Sequence, residues 1–254
     1  MMTAALAAVA APALADDPPK VNPGRPTITD PASLTAPRYF ELELGGVYSR
    51  QPFLAASMPL LVKYTDSGGR LQYRLSGSPF NSISNGAGMR ADGVSDVVAA
   101  LQYITNRQGP GSWDIAWRGS YKAPAADARR GLGTGKSDYQ LMFLASKDVS
   151  HSFHVDFNLA LSALGRVGGP GTNQQVFASI SSAMPFRDRR FGYTNEVTYW
   201  GAVPGTKAQF MTMHAITYAH RPDLHFDLGV NVGITGGAPR YQIVGGVTLF
   251  LGKL

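Results

Sequence analysis

Residues 152–162 read Ser152-Phe153-His154-Val155-Asp156-Phe157-Asn158-Leu159-Ala160-Leu161-Ser162, with a large apolar side chain at every second position from Phe153 to Leu161. The intervening residues are polar or small. Successive side chains of an extended chain point to opposite faces, so this stretch reads as a strand with one oily face and one wet face. The pattern returns where Phe226, Leu228, Val230, Val232 and Ile234 oppose His225, Asp227, Gly229, Asn231 and Gly233. It returns again where Trp113, Ile115, Trp117 and Tyr121 oppose Asp114, Arg118 and Lys122.

From Arg38 onward no apolar run approaches the ~20 residues a membrane helix requires. Period-two reading of that region predicts about twelve strands, near 39–49, 57–65, 70–77, 94–105, 112–122, 137–147, 152–163, 174–185, 191–200, 207–219, 224–235 and 240–251. Most are long enough to cross a bilayer as tilted strands of ~9–11 residues. The connections at 66–69, 148–151, 186–190 and 220–223 are short, whereas 78–93, 123–136 and 164–173 are long and rich in Gly, Pro or Ser. All three long ones follow odd-numbered strands, which puts them outside the cell if the N-terminus is periplasmic. The expected fold is all-β, a single antiparallel transmembrane barrel of about twelve strands in the bacterial outer membrane. Tyr39, Phe40, Tyr48, Tyr64, Tyr103, Tyr121, Tyr139, Tyr193, Tyr199, Trp200 and Tyr218 are candidates for its interfacial girdles.

Residues 1–15 read as a signal peptide without a basic n-region, because Leu6 to Leu14 is apolar and Ala13-Leu14-Ala15 fits a small-residue cleavage site. Residues 16–37 carry Pro18, Pro19, Pro23, Pro26, Pro31 and Pro37. That density suits an extended periplasmic linker, left outside a barrel spanning 38–254. The 254 residues contain no cysteine, which excludes disulfides and thiolate metal sites. A net charge of +6 does not imply nucleic acid, since the arginines sit in turns and loops and form no basic stripe.

The run Gly131-Leu132-Gly133-Thr134-Gly135-Lys136-Ser137-Asp138-Tyr139, continuing to Ala145-Ser146-Lys147-Asp148, resembles the "MetA-pathway of phenol degradation" family. Gly77-Ser78-Pro79-Phe80, Asp92-Gly93 with Asp96, and the Gly-rich hairpin around 233–239 match it too, so the resemblance covers roughly 38–251. It implies a transporter-like outer-membrane barrel with a role in passage of small, often apolar or aromatic compounds. It brings no catalytic residue with it. The same run ends as a P-loop does, at Gly135-Lys136-Ser137, but Arg130 stands where the first glycine belongs and a strand pattern follows instead of a helix.

Ser152, His154 and Asp156 supply the residue types of a catalytic triad on one strand face. Residues two apart rise ~6.6–6.8 Å, so an inward polar ladder is the better reading. His214 with Thr212 is an enzyme candidate if that face meets lipid, as in an outer-membrane lipid-modifying enzyme. The alternation of 207–219 leaves the facing open, with the lumen preferred. His214, His220 and His225 lack metal-site spacing. No catalytic residue, cofactor or metal is assigned.

The lumen remains, with Glu41, Glu43, Asp96, Asp114, Asp138, Asp156, Glu196 and Asp227 as inward acids and Lys63, Arg74, Arg118 and Lys122 as inward bases. His154, Asn158, His225 and Asn231 complete the candidate lining. Eight acids against four permanent bases predict cation preference if the lumen conducts. A channel or transporter for small molecules is the leading expectation, and a plugged structural or adhesion-type barrel the alternative. Outer-membrane lipid and the assembly machinery are the implied partners, with cargo and oligomeric state open.

Overall fold

The computed structural model describes residues 19–50, 54–84, 90–188 and 190–254. The signal-peptide reading of 1–15 lies outside them. The strands are β1 (Tyr39–Arg50), β2 (Leu54–Ser57), β3 (Leu60–Thr65), β4 (Leu71–Gly77), β5 (Asn81–Ser84), β6 (Arg90–Gly93), β7 (Val97–Asn106) and β8 (Asp114–Ala123). They continue as β9 (Asp138–Ser150), β10 (Phe153–Gly165), β11 (Thr172–Pro185), β12 (Phe191–Trp200), β13 (Gln209–Arg221), β14 (Leu224–Gly233) and β15 (Tyr241–Lys253). All pair antiparallel in one sheet, and β15 returns to pair with β1 from Tyr39↔Lys253 to Arg50↔Tyr241. The barrel is closed.

Six of these segments are halves of three staves. One edge of β1 pairs with both β2 and β3, β2 and β3 pair in turn with β5 and β4, and these with β6 and β7. The barrel therefore has twelve staves. Pro59 and Pro79 sit at two of the breaks, where a residue without N–H cannot donate to the ladder. This corrects the expectation of a long loop at 78–93. β5 and β6 prolong a hairpin there, which short Ser- and Asn-rich segments do not announce by apolar alternation.

Both termini of the barrel lie at one end, with the turns 66–70, 151–152, 186–190 and 222–223 and the seven-residue connection 107–113. The connections 124–137, 166–171, 201–208 and 234–240, which include the longest, are at the other. Short turns mark the periplasmic end and long loops the extracellular one. The Gly-rich run lies in the extracellular connection 124–137, where Gly131 (φ 77°) ends a 3₁₀ turn at Ala128–Arg130 and β9 follows.

In β10, Asp156, Asn158, Ala160 and Ser162 are buried while Leu159 and Leu161 are exposed. Leu101, Leu141, Ile180 and Leu228 extend the outward apolar band around the wall. Such a surface is at home in hydrocarbon, and a closed ladder leaves no backbone donor unpaired at a sheet edge there. Tyr121 and Tyr139 pair outside near the extracellular rim, at 5.3 Å between ring centroids. Trp200 does not join a girdle; it turns inward against Phe177 at 5.1 Å.

Candidate functional site

Residues 19–37 are not a linker outside the fold. Val21 N–H donates to the Pro222 carbonyl in a periplasmic turn (2.9 Å), and Pro37 bridges Thr65 at the periplasmic end of β3. Between these anchors the chain climbs to mid-height inside the barrel and comes back. Its proline content forbids a strand ladder but not burial, because each proline removes one donor that a buried segment would otherwise have to satisfy. Thr29, Ala32 and Thr35 are essentially inaccessible to solvent.

The donors that remain are met by the wall. Asn22 N–H donates to Glu41 (2.8 Å), Gly24 N–H to Glu43 (2.8 Å), and Ile28 and Thr29 N–H to the two oxygens of Glu196 (3.1 and 2.5 Å). Asn158 holds both sides of the Asp30 backbone, accepting from its N–H and donating to its carbonyl at 2.8 Å each. Ala32 N–H donates to Ser146 Oγ (2.7 Å), and the Gln102 amide donates to the Pro31 carbonyl (3.0 Å). Six inward polar side chains on five staves thus act as the hydrogen-bonding partners of a plug.

Charge pairing completes the fit. Arg25 on the plug meets Asp227 at 3.1 Å, lying in a shallow track over Gly45 and Gly246, where a Cβ on either glycine would overlap its guanidinium. Lys63 pairs with Glu41 (2.5 Å) and Glu43 (2.6 Å). At mid-height the plug offers Asp30, whose Oδ1 accepts from Arg74 (2.8 Å) and whose Oδ2 accepts from Arg118. Burial opposes ionisation of Asp30, but Arg118 and Arg74 outweigh it and hold its carboxyl well below the ordinary carboxylate range.

Above Asp30 the lumen is not filled by the plug. A cavity of about 290 Å³ lies between Arg74, Arg118 and Lys122 on its polar side and Leu61, Val98 and Leu164 on its apolar side. Lys122 bridges Asp138 (2.5 Å) and Asp96 (3.3 Å). The lumen therefore has two parts, one occupied by the plug and one, toward the extracellular ends of the staves, that holds this vestibule, with Asp30 in its lining.

The other predicted residues have separate places. Asp114 accepts from Gln108 N–H (2.6 Å) at the periplasmic rim, and Asn231 donates to Gln242 (3.3 Å) in the wall between β14 and β15. His225 is half-buried beside the periplasmic turns. His154 joins Asp148 (2.7 Å) to Asp156 (3.0 Å). The rise between residues two apart does not keep His154 and Asp156 from touching, because their side-chain ends lean together. Even so, the order is not a triad. Ser146 donates to Asp156 (2.5 Å) rather than to the imidazole, and Ser152 lies in the turn.

The lumen preference for His214 is overturned. Met211, Met213 and Ala215 are buried inward, which puts His214 and Ile216 on the lipid face. There His214 Nδ1 meets the Tyr193 hydroxyl at 2.5 Å, and Thr212 donates instead to the Glu196 carbonyl (3.1 Å). Thr212 and His214 are thus each committed to other partners. Sequence reasoning missed Arg25, Thr29 and Asp30 altogether. One available signal was the excess of inward acids, since carboxylates confined in a barrel need partners. Another was the pair Gly45 and Gly246, facing each other across β1 and β15 and leaving the track that Arg25 occupies.

No protein-family model matches the chain. No curated protein matches it in sequence. Its fold is similar to that of the crystal structure of an outer membrane channel from Pseudomonas putida F1, at 13% identity and a TM-score of 0.69, over 91% of this chain and 100% of that one. It is also similar to the NanC porin, at 10% identity and a TM-score of 0.60, over 82% of this chain and 98% of that one. At such identities the likeness concerns the fold, and it agrees with the closed twelve-stave wall and its apolar exterior. The chain is a bacterial outer-membrane β-barrel.

Proposed function

We propose that this barrel is a channel or transporter for small molecules, with residues 19–37 as a removable plug. The observation that carries this reading is how the plug is held. Between a backbone hydrogen bond at Val21–Pro222 and one isolated bridge at Pro37↔Thr65 it is bound to the wall by side chains, while the β1–β15 ladder closes the barrel without it. A segment held this way can leave without opening the sheet. The vestibule above it gives a small molecule access from outside to mid-height. The resemblance to the MetA-pathway family supports the same class. Lipid around the outward band and the assembly machinery are the partners this reading requires.

The test is planar-bilayer conductance of the mature protein beside a variant lacking residues 21–36. The variant is expected to conduct steadily and the full chain rarely. A variant that still migrates as a folded, heat-modifiable barrel yet never conducts would establish the plugged structural barrel instead. That second reading is favoured by the density of plug contacts around Glu41, Glu43 and Glu196.

A further inference from the structure

The side chain of Asp30 occupies its arginines as a ligand would. One oxygen faces Arg74 and the other Arg118, and the side chains of both arginines are more than nine-tenths buried. Each guanidinium reaches this point from the wall, whereas the carboxylate comes from the segment that can leave. Withdrawing the plug would strand two buried cations, and an uncompensated buried charge is strongly unfavourable. The vestibule is lined by Asp30, Arg74 and Arg118 together, so it holds the place that an anion replacing Asp30 would take.

We infer that Asp30 is a built-in stand-in for a small carboxylate, and that a carboxylate entering from the vestibule competes for Arg74 and Arg118 and releases the plug. This rests on the channel reading and adds a substrate class and a gate to it. The chemistry discriminates well. A carboxylate has two equivalent acceptor oxygens, one for each arginine, whereas an isosteric amide would turn an N–H₂ toward one of the guanidinium groups. Leu61, Val98 and Leu164 give the remainder of such a molecule an apolar wall. A volume of about 290 Å³ lies at the low end of ligand sites, which span ~300–1,000 Å³, so the occupant is short.

The probes are hexanoate and its uncharged isostere hexanamide, applied to the full mature protein. A tethered plug presents Asp30 at an effective concentration on the order of millimolar, so hexanoate at tens of millimolar should compete. In bilayers it is expected to raise the open probability of the wild type about tenfold, with hexanamide inert. Asp30→Asn should open without ligand and lose the hexanoate response. Calorimetry in detergent gives a second readout that does not depend on conduction. Asp30→Asn should bind hexanoate about tenfold more tightly than wild type, and Arg74→Gln/Arg118→Gln should not bind it.

Equal responses to hexanoate and hexanamide, or an unchanged hexanoate affinity in Asp30→Asn, would overturn the inference. Failure of the channel reading looks different: the variant lacking 21–36 stays silent in bilayers, whatever binds.

Discussion

The wall and the plug are both buried protein inside one membrane, yet they are held by different means. The wall is a ladder, in which each stave's backbone is satisfied by its neighbours and the apolar band faces outward. The plug has almost no ladder. Its backbone is satisfied by wall side chains, chiefly Glu41, Glu43, Ser146, Asn158 and Glu196, and its charges by Arg74, Arg118 and Asp227. The ladder that closes the barrel therefore does not include the plug. It follows that changes to outward residues should act on the barrel, and changes to inward polar residues on docking.

Two adjacent residues of β10 put this to its strongest test. Leu159 lies at the middle of the strand on the lipid face, where an arginine costs about 2–4 kcal/mol of barrel stability. Leu159→Arg should lower the denaturant midpoint of barrel unfolding and leave plug docking unchanged. Asn158, one residue away and fully buried, should do the reverse. Asn158→Leu orphans the Asp30 N–H and carbonyl, and each orphaned group costs about 1–3 kcal/mol. The expected result is raised open probability and faster amide exchange over 28–32, with the barrel's heat-modifiable mobility retained. Loss of barrel stability in Asn158→Leu equal to that in Leu159→Arg would erase the distinction between the two regions.

The smallest effect concerns pH. A carboxyl with a depressed folded value contributes stability that is fully present above its unfolded value and is lost only as pH falls through the folded one. For Asp30 the unfolded value is near 3.8 and the folded value lies well below it. The difference in open probability between wild type and Asp30→Asn should therefore stay constant from pH 7 to pH 4 and shrink only in stronger acid. A difference that vanishes by pH 5 would mean that Arg74 and Arg118 do not hold this carboxylate.

The wall was legible because period two is imposed by the pleat and sharpened by lipid on one side. Leu159 and Leu161 could hardly point anywhere else. The inward polar set was legible for the same reason, but its purpose was not. Glu41, Glu43 and Glu196 look like bare charges lining a water path, and eight acids against four bases then suggest cation preference. In the structure those three receive backbone N–H groups of a segment that has no periodic pattern of its own. Pro23, Pro26 and Pro31 removed the strand signal and with it the grounds for placing 19–37 anywhere. His214 stayed ambiguous for a different reason: Met211, Met213, Phe210 and Ile216 make both faces of β13 apolar.

Whether residues 19–37 lie in the lumen against the wall can be tested with a disulfide. The chain has no cysteine of its own, so a bridge can form only between introduced ones. Ala32 and Ser146 touch through a 2.7 Å hydrogen bond from backbone to side chain. In Ala32→Cys/Ser146→Cys, mild oxidation of the purified, folded barrel should close an intramolecular disulfide, seen as a mass loss of about 2 Da and protection of both thiols from maleimide. Two free thiols after oxidation, with the one at position 32 alkylated as fast as in the unfolded chain, would contradict the account.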